Sequence, residues 1–227
     1  MYIDIDVHHG DGVEEAFYAS PRCMTVSFHR YGDTFFPRTG DITNVGVGSG
    51  RWYSLNVPLR GGLTDEQHVK LFKGIIDRVA KAYAPNAIVL QCGADSLARD
   101  KLGDWNLSTR AHGECVSFVK SLNLPLLVLG GGGYNIRNVA RCWTYETSLL
   151  VGQEIPNDIP QHSYSAYYSP DNKLHVEPLK KGNPFFSRNA NTPETIEAVY
   201  RQALWILKKM EALPSPTATS RSRSRSR

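Results

Sequence analysis

Five short runs rich in valine, isoleucine and leucine, separated by stretches of helical periodicity, constrain this chain more than any other feature. The predicted strands are Tyr2–Val7, Cys23–His29, Tyr53–Leu59, Ala87–Cys92 and Leu124–Leu129. Most are apolar on both faces, as strands inside a parallel sheet are. Between them, Thr64–Tyr83 spaces Val69, Phe72, Ile76, Val79 and Tyr83 three and four apart. That is the stripe of an amphipathic helix, and Thr64-Asp65-Glu66-Gln67 reads as its capping box. Thr109–Leu122 and Asn135–Val151 are further helices by the same criterion. The alternation predicts an α/β fold, a mostly parallel sheet flanked by helices.

Beyond Gly152 the periodicity dissolves into Pro, Asn, Ser and Tyr until about Asn191. This reads as a long surface segment, packed by its tyrosines and by Phe185-Phe186. A last helix is expected from Thr192-Pro193-Glu194, a cap residue followed by proline at the first helical position. Its stripe is Ile196, Val199, Tyr200, Ala203, Leu207 and Met210. Residues 1–213 are thus read as one folded unit, and 214–227, ending in four Ser-Arg repeats, as a disordered tail.

The formal charge of +4 needs that division to be understood. Of 26 basic residues, Arg221, Arg223, Arg225 and Arg227 lie in the tail, and the remainder balance the 22 acidic ones. The folded part is therefore neutral, with no bulk sign of a nucleic-acid binder; direct nucleic-acid contact is assigned to the Ser-Arg tail alone. No run of apolar residues is long enough for a transmembrane helix, so no membrane partner is expected. The N-terminus lacks the basic region and cleavage site of a secretory signal. Cys23, Cys92, Cys115 and Cys142 form no C-x-x-C pair and read as buried free thiols of a reducing compartment.

The chemistry gathers at three strand ends. In Asp4-Ile5-Asp6-Val7-His8, residues two apart project to one face, so Asp4, Asp6 and His8 line up toward the end of the first strand. Polar side chains inside an apolar sheet cost several kcal/mol, as a rough figure, unless paired or metal-bound. Carboxylate and imidazole together suit zinc. A hydrogen-bonded cluster capping the next helix at Gly12-Val13-Glu14 is the plainer alternative. Asp95, just past the fourth strand, reads alone as a helix cap; with Asp6 and His8 it completes an Asp-His-Asp set that leaves a coordination position open. After the fifth strand, Gly130-Gly131-Gly132-Gly133 lets backbone approach a ligand closely, with Tyr134 at its end. A phosphate loop is disfavoured, since no Walker lysine follows.

Tyr2–Tyr18, Leu90–Leu97, Gly130–Tyr134 and Asn138–Glu146 together resemble the class I histone deacetylases, zinc-dependent lysine deacetylases of chromatin. The resemblance runs from Tyr2 to about Asp158 and more weakly through the last helix. It implies an arginase/deacetylase-like fold and an enzyme that hydrolyses N6-acetyl-lysine on histone tails, acting in transcriptional repression in the nucleus, with the cytoplasm as a second location. Asp6, His8 and Asp95 would ligate zinc, and Tyr134 would bond the oxyanion. Asp4 and Asp11 take positions that orient the family's two catalytic histidines. Asp4, Asp6, His8, Ser27 and Phe28 would surround a structural potassium ion. Phe17, Ser20, Cys23 and Tyr53 fall where a second monovalent cation sits. Phe36, Leu102 and Gly132 would line the acetyl-lysine tunnel. Arg137 and Lys101 match a surface for inositol phosphate and corepressor subunits, though position 101 is more often arginine in the family. The loop Asp33–Arg38 is one residue longer than the family pattern.

The same resemblance implies that the family's catalytic His-His pair precedes the first motif of this sequence. His29, His68, His112, His162 and His175 lie outside the catalytic motifs and read as solvated or structurally bonded, and His9 as facing away from His8. The chain is accordingly expected to be an N-terminally truncated deacetylase domain, inactive or nearly so alone, its sheet cut at the first strand so that apolar surface and an unpaired edge are exposed there. A non-catalytic scaffold holding corepressor or inositol phosphate is the competing function. A two-manganese ureohydrolase is a third, opposed by the single Asp-His-Asp set and the glycine-tyrosine motif.

Overall fold

A computed structural model describes residues 1–32 and 34–213; Asp33 and the Ser-Arg tail, including its expected disorder, lie outside the described residues. Five parallel strands form one sheet: β1 (Tyr2–Asp4), β2 (Thr25–Arg30), β3 (Ser54–Leu59), β4 (Ile88–Gln91) and β5 (Leu126–Leu129), in the order β3-β2-β1-β4-β5. Each predicted strand is present, but β1 is paired on both sides, with β2 and β4, and is not the unpaired edge expected of it. The first is shorter than expected, for a reason that belongs to the site. β2 is buried throughout, as the run of apolar residues on both faces required.

The helices are α1 (Asp11–Phe17), α2 (Asp65–Tyr83), α3 (Thr109–Ser121), α4 (Ile136–Val151) and α5 (Pro193–Glu211). α2 packs against α3 and α5, and α3 against α4. The core runs from Ile3, Val26, Leu55 and Leu90 on the strands to Phe72, Ile76, Val116 and Leu207 on the helices. No described helix is long and apolar enough to cross a membrane.

Three local expectations need correction. The buried face of α2 is His68, Leu71, Phe72, Ile75, Ile76 and Val79, rotated from the expected stripe so that Val69 is only partly buried. Thr64 is the N-cap of α2, but its side chain caps no backbone N–H. The Thr64 hydroxyl donates instead to Gln67 Oε1 at 3.3 Å, and Gln67 also donates to Asn191 O and accepts from Asn189 Nδ2. The irregular 152–191 segment is held only in part by its aromatics: Tyr164, Tyr167 and Phe185 are exposed, while Tyr168, under Arg141, and Phe186 are half-buried. Leu174, Val176 and Leu179 are the apolar residues it buries, and Leu179 exchanges hydrogen bonds in both directions with the Asn106 side chain. α5 matches its expectation, with Thr192 Oγ1 accepting from Thr195 N and proline opening the helix.

Candidate metal centre

β1 is the central strand, and the chain leaves it toward β2 on one side and returns to β4 on the other. The carboxyl ends of β1 and β4 therefore meet where the winding reverses, the place where open α/β sheets bind ligands. β1 stops at Asp4 because the carboxylates that follow take over its backbone. Asp6 N donates to Asp4 Oδ1 at 3.0 Å, and His8 N donates to Asp6 Oδ1 at 2.8 Å. These local turns take the N–H groups of Asp6 and His8 out of the ladder, while Ile5 N still donates to Gln91 O and Val7 O still accepts from Arg30 N. Asp95 arrives from the turn after β4, where its Oδ1 accepts from Val7 N at 2.9 Å.

The result joins Asp6, His8 and Asp95, whose ligand atoms all lie within 4.8 Å of one another. His8 Nδ1 is 3.1 Å from Asp6 Oδ1 and 3.0 Å from Asp95 Oδ2. Asp4 shares the strand but not the cluster: its Oδ2 accepts from the Tyr2 hydroxyl at 2.6 Å. Burial, and then the charge of Asp6, push the Asp4 carboxyl up to about 7. Burial alone would raise Asp6, but hydrogen bonds from His8, Gln91 and the His8 and Gly132 N–H groups hold it low. Burial and the neighbouring charge of Asp6 push Asp95 upward. Burial opposes a charged His8, yet its bonds to Asp6 and Asp95 lift it to about 10. The site therefore carries surplus negative potential, which a bound cation would neutralise.

The backbone around this set is shaped to the carboxylates. A Cβ on Gly93 would fall 2.0 Å from Asp6 Oδ2, and one on Gly132 would fall 2.0 Å from Asp95 Oδ2. Only glycine leaves that space. Gly132 N also donates to Asp6 Oδ2 at 2.8 Å, so this predicted tunnel residue is equally a support of the ligand. The donor set and the glycine cradle fit a small, hard or borderline cation such as zinc.

The cluster opens into a cleft of about 670 Å³ bordered by Asp4, Asp11, Phe36, Leu102, Gly132 and Tyr134. The Tyr134 ring stands edge-on to the His8 ring at 6.3 Å. Burial and the charges of Asp95, Asp6 and Asp100 hold its phenol above the ordinary range, so it remains a donor. Phe36 and Leu102 are exposed at the rim. Asp11 accepts from Gly12 N. Ser27 pairs in register with Asp4, accepts from Gly10 N at 3.2 Å, and lies beside the fully buried Phe28.

Other predicted residues lie away from the cleft. Phe17 ends α1, Ser20 N donates to Phe17 O, Cys23 is partly buried, and the Tyr53 carbonyl accepts from Thr25 N. Arg137 donates to Tyr167 O at 2.9 Å, and Lys101 is exposed. His9 is turned into the fold, its ring nitrogens on Thr39 and Glu14. His29 and His112 are buried and hydrogen-bonded as expected. His68 is not: it is buried with neither nitrogen partnered, a correction to the expectation that it is solvated or bonded. All four cysteines are free, and Cys92, Cys115 and Cys142 are buried.

Several supporting residues carried no role in the sequence reading. Gln91 Nε2 donates to Asp6 Oδ2 while its Oε1 accepts from Gly93 N. A polar residue closing an apolar strand was the available signal. Phe35 stacks on His8 at 5.2 Å. Asp100 accepts from the backbone of Leu102, Gly103, Tyr134 and Asn135, tying the cleft rim to the glycine turn.

The model of the histone deacetylase domain matches residues 1–150. Histone deacetylase 19 of Arabidopsis thaliana is 53% identical over 95% of this chain, covering 42% of its own length. Histone deacetylase 1 of Homo sapiens is 50% identical over 94% of this chain and 43% of its own. The chain thus spans about two-fifths of the length of these relatives.

Proposed function

Because this chain belongs to the histone deacetylase family, we propose that it carries the metal-binding and oxyanion-binding parts of a lysine deacetylase site. The observation that supports this most is the convergence of Asp6, His8 and Asp95 beneath Tyr134. Those three residues would hold zinc, a Lewis acid that polarises an amide carbonyl and acidifies water when bound. Tyr134 donates a hydrogen bond to the acetyl oxygen as negative charge develops there. Phe36, Leu102 and Gly132, joined by Phe35, line the cleft, where they would border the lysine stem. Asp4 and Asp11 orient the imidazoles that move the protons of the reaction in a complete site.

Among the described residues no imidazole is placed to serve as that base: His8 belongs to the ligand set, and His9 is held by Thr39 and Glu14. The substrate is acetyl-lysine of histone tails, the setting nuclear, and the partners corepressor subunits. Potassium would sit with Asp4, Asp6, His8, Ser27 and Phe28, and a second monovalent cation with Phe17, Ser20, Cys23 and Tyr53. Exposed Arg137 and Lys101 would meet inositol phosphate. The absence of a placed base favours a second reading for the chain alone, a non-catalytic scaffold presenting that basic surface.

Metal analysis and an acetyl-lysine peptide assay of the 227-residue chain test both. One zinc per chain, lost in Asp95→Asn, with turnover near background is the expected result. Robust zinc-dependent turnover would overturn the missing-base argument, and two manganese ions per chain would overturn the deacetylase site itself.

A further inference from the structure

Asp95 reaches the ligand set from the short turn Gly93–Leu97, which no sheet ladder holds. Its carboxylate bonds to Val7 N and His8, but the backbone on either side is gripped from the other direction, by α3 and α4. Ser96 Oγ lies 3.1 Å from Gly93 O and 2.6 Å from His112 Nε2. On the far side of the ring, His112 Nδ1 is 3.0 Å from Glu146 Oε1, which also accepts from Cys142 Sγ at 3.5 Å. Trp143 Nε1 donates to Cys92 O at 2.8 Å, and Asn138 Nδ2 to Ala98 O at 3.2 Å. Ser96, His112, Cys142 and Glu146 are all buried. Burying so polar a row is unfavourable unless each member is bonded, and here each is.

We propose that Ser96, His112 and Glu146 are positioning residues for the metal. They form a buried relay from α3 and α4 that fixes the Asp95 turn before an ion arrives. The inference rests on the metal reading above and adds how its third ligand is preorganised. Removing an outer group that orients a ligand commonly costs about 10–100-fold in metal affinity. The relay is a hydrogen-bonded unit rather than a second metal site. Although the ligand atoms of His112, Cys142 and Glu146 lie within 4.8 Å of one another, all three are buried and none borders the cleft that Asp6 and His8 face.

The test uses the full chain and four variants, Ser96→Ala, Glu146→Gln, Val79→Ala and Cys142→Ser. Co²⁺ affinity is measured against a competing chromogenic chelator, and amide exchange is followed on metal-free protein. Ser96→Ala is expected to weaken Co²⁺ binding by about tenfold and to speed exchange at Asp95–Ala98 by a similar factor, with α2 amides unchanged. Glu146→Gln keeps an acceptor for His112 Nδ1 and should stay within about threefold of the unaltered chain. Val79→Ala destabilises α2 without touching the relay, so its Co²⁺ affinity should not move. Unchanged affinity and exchange in Ser96→Ala would overturn the inference, as would an equal loss of affinity in Val79→Ala. A second bound Co²⁺ that disappears in Cys142→Ser would overturn it too, by making the relay a ligand set. If the unaltered chain binds no Co²⁺, the metal reading itself fails and takes this inference with it.

Discussion

Phe28, Phe72 and Trp105 surround the ring of His68, each with its centroid about 6 Å away. Burial, reinforced by His112, holds this imidazole at about 3, and burial with His9 does the same for His29. Both are neutral in the fold, whereas in the unfolded chain they titrate near 6.5. Below that pH the unfolded state takes up protons that the folded state refuses. Stability is therefore intact above about 6.5 and falls as pH drops toward about 3, by up to about 1.4 kcal/mol per pH unit for each residue. His29 at least has Ser27 and Gly40 as partners; among the described residues His68 has none. His68→Leu should then gain about 1–3 kcal/mol at pH 7, the cost of buried unpartnered groups. Its stability should also decline less steeply with acid. Urea denaturation at pH 7 and pH 5 measures both, and a variant weaker than the parent at both values would contradict the account. Nothing in the sequence announced this. A helical stripe displaced by one position hides which face a histidine occupies, and a lone histidine resembles any other. Asp6, His8 and Asp95 were legible for the opposite reason: charged residues closing apolar strands have few ways to be buried except together.

Helix α4 begins at the glycine turn, and its N-cap residue Asn135 makes no side-chain capping bond. Asp100 supplies the acceptor from outside the helix, taking Tyr134 N at 2.8 Å and Asn135 N at 3.2 Å on one oxygen. Its other oxygen takes Leu102 N and Gly103 N. Asp100→Ala should cost about 1–2 kcal/mol, the usual loss for a cap, and should speed amide exchange at Tyr134 and Asn135. Equal exchange in parent and variant would show that the turn holds itself. Remote capping of this kind explains the limits of reading elements from sequence. The order and type of strands and helices followed from local periodicity. The capping box of α2 did not form, because Gln67 found Asn189 and Asn191 more than a hundred residues away. Sequence motifs describe neighbours along the chain, while caps are settled by neighbours in space.

At the scale of the molecule, the sheet ends on one side at β5, whose Leu127 and Leu129 are 55% and 42% exposed. Parallel sheets are ordinarily covered on both faces, and an edge strand with bare leucines is a template for association. The double variant Leu127→Lys, Leu129→Lys should shift the chain toward monomer in size-exclusion chromatography with light scattering. A parent already monomeric at high concentration would refute this. The parallel architecture and the neutral folded body were readable from alternation and charge. What held the 152–191 segment was not, since Leu174, Val176 and Leu179 look no different in sequence from any scattered apolar residues.

The meeting of His8 with Asp95 also has a polymer consequence. The two are 87 positions apart, so an ion shared between them ties the ends of a long loop. In the unfolded chain such a knot would forfeit about 4–5 kcal/mol of chain entropy on a loop-closure estimate. The ion would thus act as a removable stitch through the polypeptide, and the cation supply would set how often the chain comes undone.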